Sequence, residues 1–147
     1  MKLKQIVISI ENSSDRLLEV TRALGEAGIN LRALSLVDTG AFGQLRLLVS
    51  DVAKTRHILM KMNMPAFVNE VVAVEVADKP GSLSRLLEPL TAAKVHVAYM
   101  YAYGAAASGK AIMVFRFSDN DQAIEILKNN GNKILDAEAF GILESAA

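Results

Sequence analysis

Isoleucines stand at Ile6, Ile8 and Ile10, and valines at Val72, Val74 and Val76 with Glu75 between them. A period of two puts each triplet on one face of a strand. The period then lengthens: Leu17, Val20, Leu24 and Ala27 are spaced for one face of a helix, as are Leu83, Leu86, Leu90 and Ala93, and Gly28 is placed to stop the first helix. Extended stretches follow from Ile29 to Val37 and from Val95 to Tyr103. Turns at Asp38 to Phe42 and Gly104 to Ser108 return the chain into third strands, Gly43 to Val49 and Gly109 to Phe117. Ser50-Asp51 and Ser118-Asp119 end those strands with oxygen acceptors suited to the free amides of a helix start, and Asp119 with Gln122 approximates a capping box. Ile58, Leu59 and Met62 mark one second helix and Ala123, Ile124 and Leu127 the other, with Pro65 and Gly131-Asn132 as stops. Final strands are predicted near Phe67 to Val71 and near Lys133 to Phe140.

The order is βαββαβ, twice. Asn12-Ser13-Ser14-Asp15-Arg16-Leu17 and Asp78-Lys79-Pro80-Gly81-Ser82-Leu83 occupy the same place, 78 − 12 = 66 residues apart, and the same offset relates Leu24 to Leu90, Ala27 to Ala93, Leu31 to Val97 and Gly43 to Gly109. The offset becomes 68 at Ser50-Asp51 and Ser118-Asp119, and again at Leu59 and Leu127, so two extra residues are expected in the third strand of the second copy or its adjoining turn. The chain reads as an internal duplication with repeats at residues 1–70 and 71–147. Two right-handed crossovers in each repeat predict an α+β, ferredoxin-like unit: an antiparallel four-stranded sheet with two helices on one face and the second strand at an edge. No Pro/Gly linker separates Phe67 to Val71 from Val72 to Val76, so a rigid joint is expected.

Composition narrows the function. Sixteen basic and sixteen acidic residues cancel, which removes the broad positive field of a nucleic-acid binder and any reason to expect an anionic membrane as partner. The chain has no cysteine, and its first residues lead into a strand without the apolar core of a signal peptide, so a cytoplasmic location is expected. His57 and His96 lack the partners of a zinc site or a triad, and Met60, Met62 and Met64 are assigned to gap filling and a turn. Gly104-Ala105-Ala106-Ala107-Ser108-Gly109 is read as a hairpin turn, because Lys110 leads into a strand and no phosphate-binding helix follows. Neither metal nor cofactor is expected.

The loop between first strand and first helix is the most informative place, since a helix start offers free N–H groups and partial positive charge to a carboxylate. Pro80 suits the approach to the helix, Gly81 permits close backbone approach, and Asp78 has a carboxylate for an ammonium. The loop thus holds a group for each end of an amino-acid zwitterion. Ordinary helix capping is the competing account. Tyr99, Tyr101 and Tyr103 alternate along an edge strand where the first copy has Ala33, Ser35 and Val37; they are read as cross-strand packing or as phenols lining a pocket.

Asp78-x-x-Gly81-x-Leu83 in a duplicated βαββαβ frame resembles the ACT-domain family, small regulatory modules that bind amino acids, and the resemblance covers the chain as two ACT repeats. It implies a ligand between two ACT units, touching this loop on one and an edge strand or loop on the other. The residues so implicated are Asp78, Lys79, Pro80, Gly81, Ser82 and Leu83, with Asn12, Ser13, Ser14 and Leu17 from the first loop and Tyr99 and Tyr101 from the edge strand. Asn12-x-x-Asp15-x-Leu17 has an aspartate where the family has glycine, and Asp15 would repel a ligand carboxylate. Three functions follow: an amino-acid sensor acting in trans on an enzyme or regulator; a small ferredoxin-like isomerase or hydrolase; or an RNA-binding module, for which Phe115 and Phe117 are a faint echo. Leu34 and Leu36, expected opposite Ile29, Leu31 and Ala33, and Ile112 with Val114, expected on the helix-free face, lead to a homodimer as the expected assembly.

Overall fold

The computed structural model describes residues 1–11, 13–105 and 109–144. Its elements are β1 (Leu3–Glu11), α1 (Ser14–Glu26), β2 (Leu31–Asp38), β3 (Phe42–Val49), α2 (Val52–Lys61), β4 (Ala66–Ala77), α3 (Ser82–Ala92), β5 (Val97–Ala105), β6 (Lys110–Phe117), α4 (Asn120–Asn129), β7 (Lys133–Leu135) and α5 (Ala137–Phe140). The fold is α+β with antiparallel strand pairing and the βαββαβ order repeated. Two compact units result: Lys4–Asn69 with Ala137–Ala147, here the N-terminal unit, and Met1–Leu3 with Glu70–Asp136, the C-terminal unit.

In the N-terminal unit the strand order is β2-β3-β1, with the start of β4 beside β1; in the C-terminal unit it is β5-β6-β4 with β7 on the other side of β4. The two predicted strands around Val71 and Val72 are thus one twelve-residue strand. In the C-terminal unit Val72 and Val74 pack with Leu86 and Leu90 of α3, Phe115 and Phe117 of β6, and Ala123 and Leu127 of α4, all at most 4% exposed. Full burial of one such side chain stabilises by about 1.5–3 kcal/mol. In the N-terminal unit Ile6 lines a cavity with Val52 and Leu59, which places the Ile6, Ile8 and Ile10 face under the helices.

The duplication reaches the chain reversals. Each of the four long helices is followed by a left-handed residue: Gly28 (φ 78°), Asn63 (φ 54°), Lys94 (φ 60°) and Gly131 (φ 78°). Asp51 and Asp119 cap α2 and α4, accepting from the N–H groups of Lys54 and Gln122 at 3.0 Å. Ser50 and Ser118, expected to help those caps, instead accept from the N–H groups of Asn30 and His96 at 2.8 and 3.1 Å, which ties off the loop before β2 and β5.

Four expectations change. Ile10 pairs with Gly43 and Val76 with Ala111, so the offset is already 68 along the third strands and Gly43 corresponds to Ala111, not Gly109; the two extra residues precede β6, one of the two places expected for them. A bulge between Leu31 and Ala33 switches the alternation of β2. Leu34 and Leu36 consequently pair with Leu47 and Leu45 and share the helix-bearing face with Leu31, yet stay 49% and 47% exposed. Ile112 and Val114 do lie on the helix-free face, but Val114 is fully buried and Ile112 half-buried, so the open apolar area expected there is smaller. Finally, the last strand stops at Leu135, and Ala137 to Phe140 form a helical turn, in keeping with the helix preference of Ala and Glu. That turn buries Phe140, and Leu143 bridges to Asp51 in parallel while its N–H donates to the Ser50 carbonyl at 2.7 Å.

Candidate functional site

Gly81 is the N-cap of α3 and adopts φ 85°, ψ −6°, a left-handed conformation that favours glycine. The turn before it is closed by the main chain. The Asp78 N–H donates to the Gly109 carbonyl at 3.0 Å, the Lys79 N–H to Ala77 at 3.0 Å, and the Ser82 N–H to Lys79 at 3.2 Å. Asp78, Lys79, Pro80 and Gly81 are exposed, Ser82 is buried, and Leu83 is exposed at the edge of the first turn. No side chain caps α3, nor α1 behind Ser13, whereas α2 and α4 both have aspartate caps. The two uncapped starts are the two loops that the sequence singles out, and each leaves first-turn N–H groups for another acceptor.

Electrostatics separate the two loops. Arg85 reaches back over the first turn of α3: its Nη2 donates to Ser82 Oγ at 3.4 Å, and a Cβ added to Gly81 would lie 3.1 Å from Nη1. Among the described residues no carboxylate stands within ion-pair distance of Arg85. At the matching place in the first copy Arg16 is neutralised by Glu19, Nη1 to Oε2 at 2.6 Å, and Asp15 adds a negative charge. The α3 start is therefore net positive and the α1 start is not. Sequence reasoning missed Arg85; the signal available was a cation four residues beyond the loop glycine, within reach of the same helix end.

Ser13, Ser14 and Leu17 line a cavity of about 280 Å³ with Leu36 as its apolar wall and Glu11 and Asp38 as its acids. Asn12 lies outside the described residues. The Asp38 carboxylate also accepts from the Gly40 N–H at 2.9 Å. The matching positions of the second copy are Ala77 and Gly104, so its loop lacks both acids. The assigned Gly104 to Gly109 turn includes residues 106–108, which lie outside the described residues.

Tyr99, Tyr101 and Tyr103 pair with Arg116, Val114 and Ile112, which puts them on the face opposite Met100, Phe115 and the helices. The tyrosines thus lie on the face opposite α3, the helix that the loop begins. Phe115 and Phe117 stack at 4.9 Å between ring centroids and are 0% and 4% exposed inside the core, so they offer no platform for RNA bases. His57 and His96 are both exposed, and among the described residues no three His, Cys, Asp or Glu side chains stand close enough to hold a metal. No helix among them is long and apolar enough to cross a membrane.

Comparison with solved structures finds close agreement with protein BT0572 from Bacteroides thetaiotaomicron: TM-score 0.91 and 36% identity over 97% of this chain and 98% of that one. The ligand-free regulatory subunit of aspartate kinase from Thermus thermophilus superposes with TM-score 0.60 at 13% identity, over 87% of this chain and 91% of that one. The regulatory subunit of aspartate kinase from Thermus flavus gives 0.59 at 15%, over 86% and 90%. At such identities the likeness is one of fold. No curated protein is detectably similar. The family model for an ACT domain pair matches residues 1–142, and with the duplicated βαββαβ architecture this places the chain in the ACT domain pair family.

Proposed function

We propose that the protein is a regulatory amino-acid sensor, with residues 1–70 and 71–147 as its duplicated ACT repeats, and that it acts in trans on an enzyme or regulator of amino-acid metabolism rather than as a catalyst. The observation that carries this reading is the start of α3: a left-handed glycine cap, no side-chain cap, and an arginine with no carboxylate partner among the described residues, all beside Asp78. A ligand carboxylate takes the N–H groups and Arg85; its ammonium takes Asp78. The regulatory subunits of aspartate kinase have the same fold, which supports a regulatory role. The acids of the first-copy cavity suit the ammonium of a second ligand better than its carboxylate. Asp78 to Leu83 therefore form the primary site, and Ser13, Ser14 and Leu17 a subsidiary one.

The assembly we propose is a homodimer formed through the β2 edge, where Leu34, Leu36 and Val37 are all 45% or more exposed. The direct test is calorimetric titration of the twenty standard amino acids, with thermal unfolding alongside. A ligand at about a hundred times its dissociation constant adds about 2.7 kcal/mol of stability. If no amino acid at millimolar concentration gives heat or raises the melting temperature, the proposal is wrong.

A further inference from the structure

A second cavity of the N-terminal unit, about 580 Å³, lies between α2 and the start of β4. Ala53, Arg56, His57 and Met60 line it from one helical face, at i, i+3, i+4 and i+7. Ile6 and Leu59 form its apolar floor, and Phe67, 56% exposed, stands on the β4 side. Lys4, Arg56 and His57 are basic, and no acidic residue lines the space. Among the described residues none of the three is within ion-pair distance of a carboxylate; Glu144 accepts from the main-chain N–H of Lys4, not from its ammonium.

The second copy is an internal control for this space. With the offset of 68, Arg56 corresponds to Ile124 and Ala66 to Ile134. Both isoleucines pack into the core of the C-terminal unit. With the offset of 66, Lys4 corresponds to Glu70, whose carboxylate, together with that of Asp121, pairs with Lys2 at 3.7 and 3.0 Å. One copy therefore sets two isoleucines at this place and pairs the acids Glu70 and Asp121 with Lys2. The other leaves a hollow and three cations.

We propose that this hollow binds an organic carboxylate with an apolar body, the carboxylate meeting Lys4 and Arg56 and the body lying on Ile6, Leu59 and Met64. Its volume is within the range of small-molecule sites, and methionines adapt to varied apolar shapes. The site shares no residue with the α3 loop and does not depend on the amino-acid reading. Titration of the full chain with octanoate, against 1-octanol and inorganic phosphate, tests it. Octanoate is expected to bind at least about tenfold more tightly than either, the factor for one charge-assisted hydrogen bond. Arg56→Gln and Lys4→Gln should each lower its affinity by about tenfold. Ala66→Ile should abolish octanoate binding without lowering the melting temperature. The proposal is overturned by absence of octanoate binding, by equal binding of octanol or phosphate, or by full affinity in Ala66→Ile. It is overturned equally if Arg56→Gln alters sedimentation but not octanoate binding, which would assign the hollow to a second copy of the chain.

Discussion

Substitution of Gly81 separates folding from binding, because two replacements act on them in opposite order. At φ 85° an added Cβ is strained, and it would also sit 3.1 Å from Arg85 Nη1. A left-handed L-residue costs about 1–2 kcal/mol, so in a domain of this size Gly81→Ala should lower the melting temperature by roughly 2–8 °C. Gly81→Asp meets the same backbone, but aspartate tolerates the left-handed region better, and its carboxylate at a helix start returns about 0.3–1 kcal/mol. Gly81→Asp should therefore be the more stable of the two. Binding is expected to rank the other way: the new carboxylate occupies the N–H groups and Arg85 that an amino-acid carboxylate needs. Losing charge-assisted hydrogen bonds of about 1.5–3 kcal/mol weakens affinity roughly ten- to hundredfold. Scanning calorimetry gives the first ordering and titration calorimetry the second. If Gly81→Asp binds the amino acid as well as Gly81→Ala does, the ligand carboxylate is not at this helix end.

Arg85→Gln should cost about tenfold in amino-acid affinity with less than about 0.5 kcal/mol in stability, since the side chain is exposed and its hydrogen bond to Ser82 is long, at 3.4 Å; equal losses in Arg16→Gln would show that the two loops are not distinguished by charge. Lys94 has φ 60° where the first copy has Gly28, so Lys94→Gly should raise stability by up to about 1 kcal/mol, read as a higher urea midpoint at unchanged slope. The hydrogen bond to Asp121, followed by the charge of Glu70, raises the Lys2 pKa above its ordinary value of 10.5. The folded-state pKa being the higher, this contribution is complete at neutral pH and is lost as pH climbs through the lysine range; an NMR titration of Lys2 in Asp121→Asn should move its midpoint down. Leu34→Lys with Leu36→Glu should yield a monomer by sedimentation, and an unchanged sedimentation coefficient would remove the β2 edge from the interface.

The alternation of Ile6 to Ile10 and Val72 to Val76, and the helical spacing beginning at Leu17 and Leu83, made the duplicated fold legible, because core burial forces those periods. Details set by one residue of register were not legible. The bulge at Leu31 to Ala33 moves Leu34 and Leu36 to the helix-bearing face, and the period-two pattern of β2 contains no mark of it. Arg85 escaped for a related reason: its role depends on a side chain folding back over the preceding turn, which spacing permits but does not require. The helical turn at Ala137 to Phe140 depends on Phe140 finding a buried place, a tertiary outcome that overrides a strand-like string.

Two copies that began alike expose where selection on packing ended and another demand began. Loop ends, caps and left-handed helix terminators still match pair by pair, even where lysine or asparagine replaces glycine at some conformational cost. Two of the departures fall on surfaces that can meet a ligand. At the first helix, an arginine–glutamate pair in one copy stands where the other has a serine and an arginine with no partner acid. At the second helix, an arginine over a hollow in one copy stands where the other packs an isoleucine. Among the described residues, a cation without an acid at the start of α3, and others beside an unfilled apolar space, are the observations on which the two proposed sites rest. On these proposals the α3 loop would take up one anion and the hollow under α2 another, each held by the retained frame.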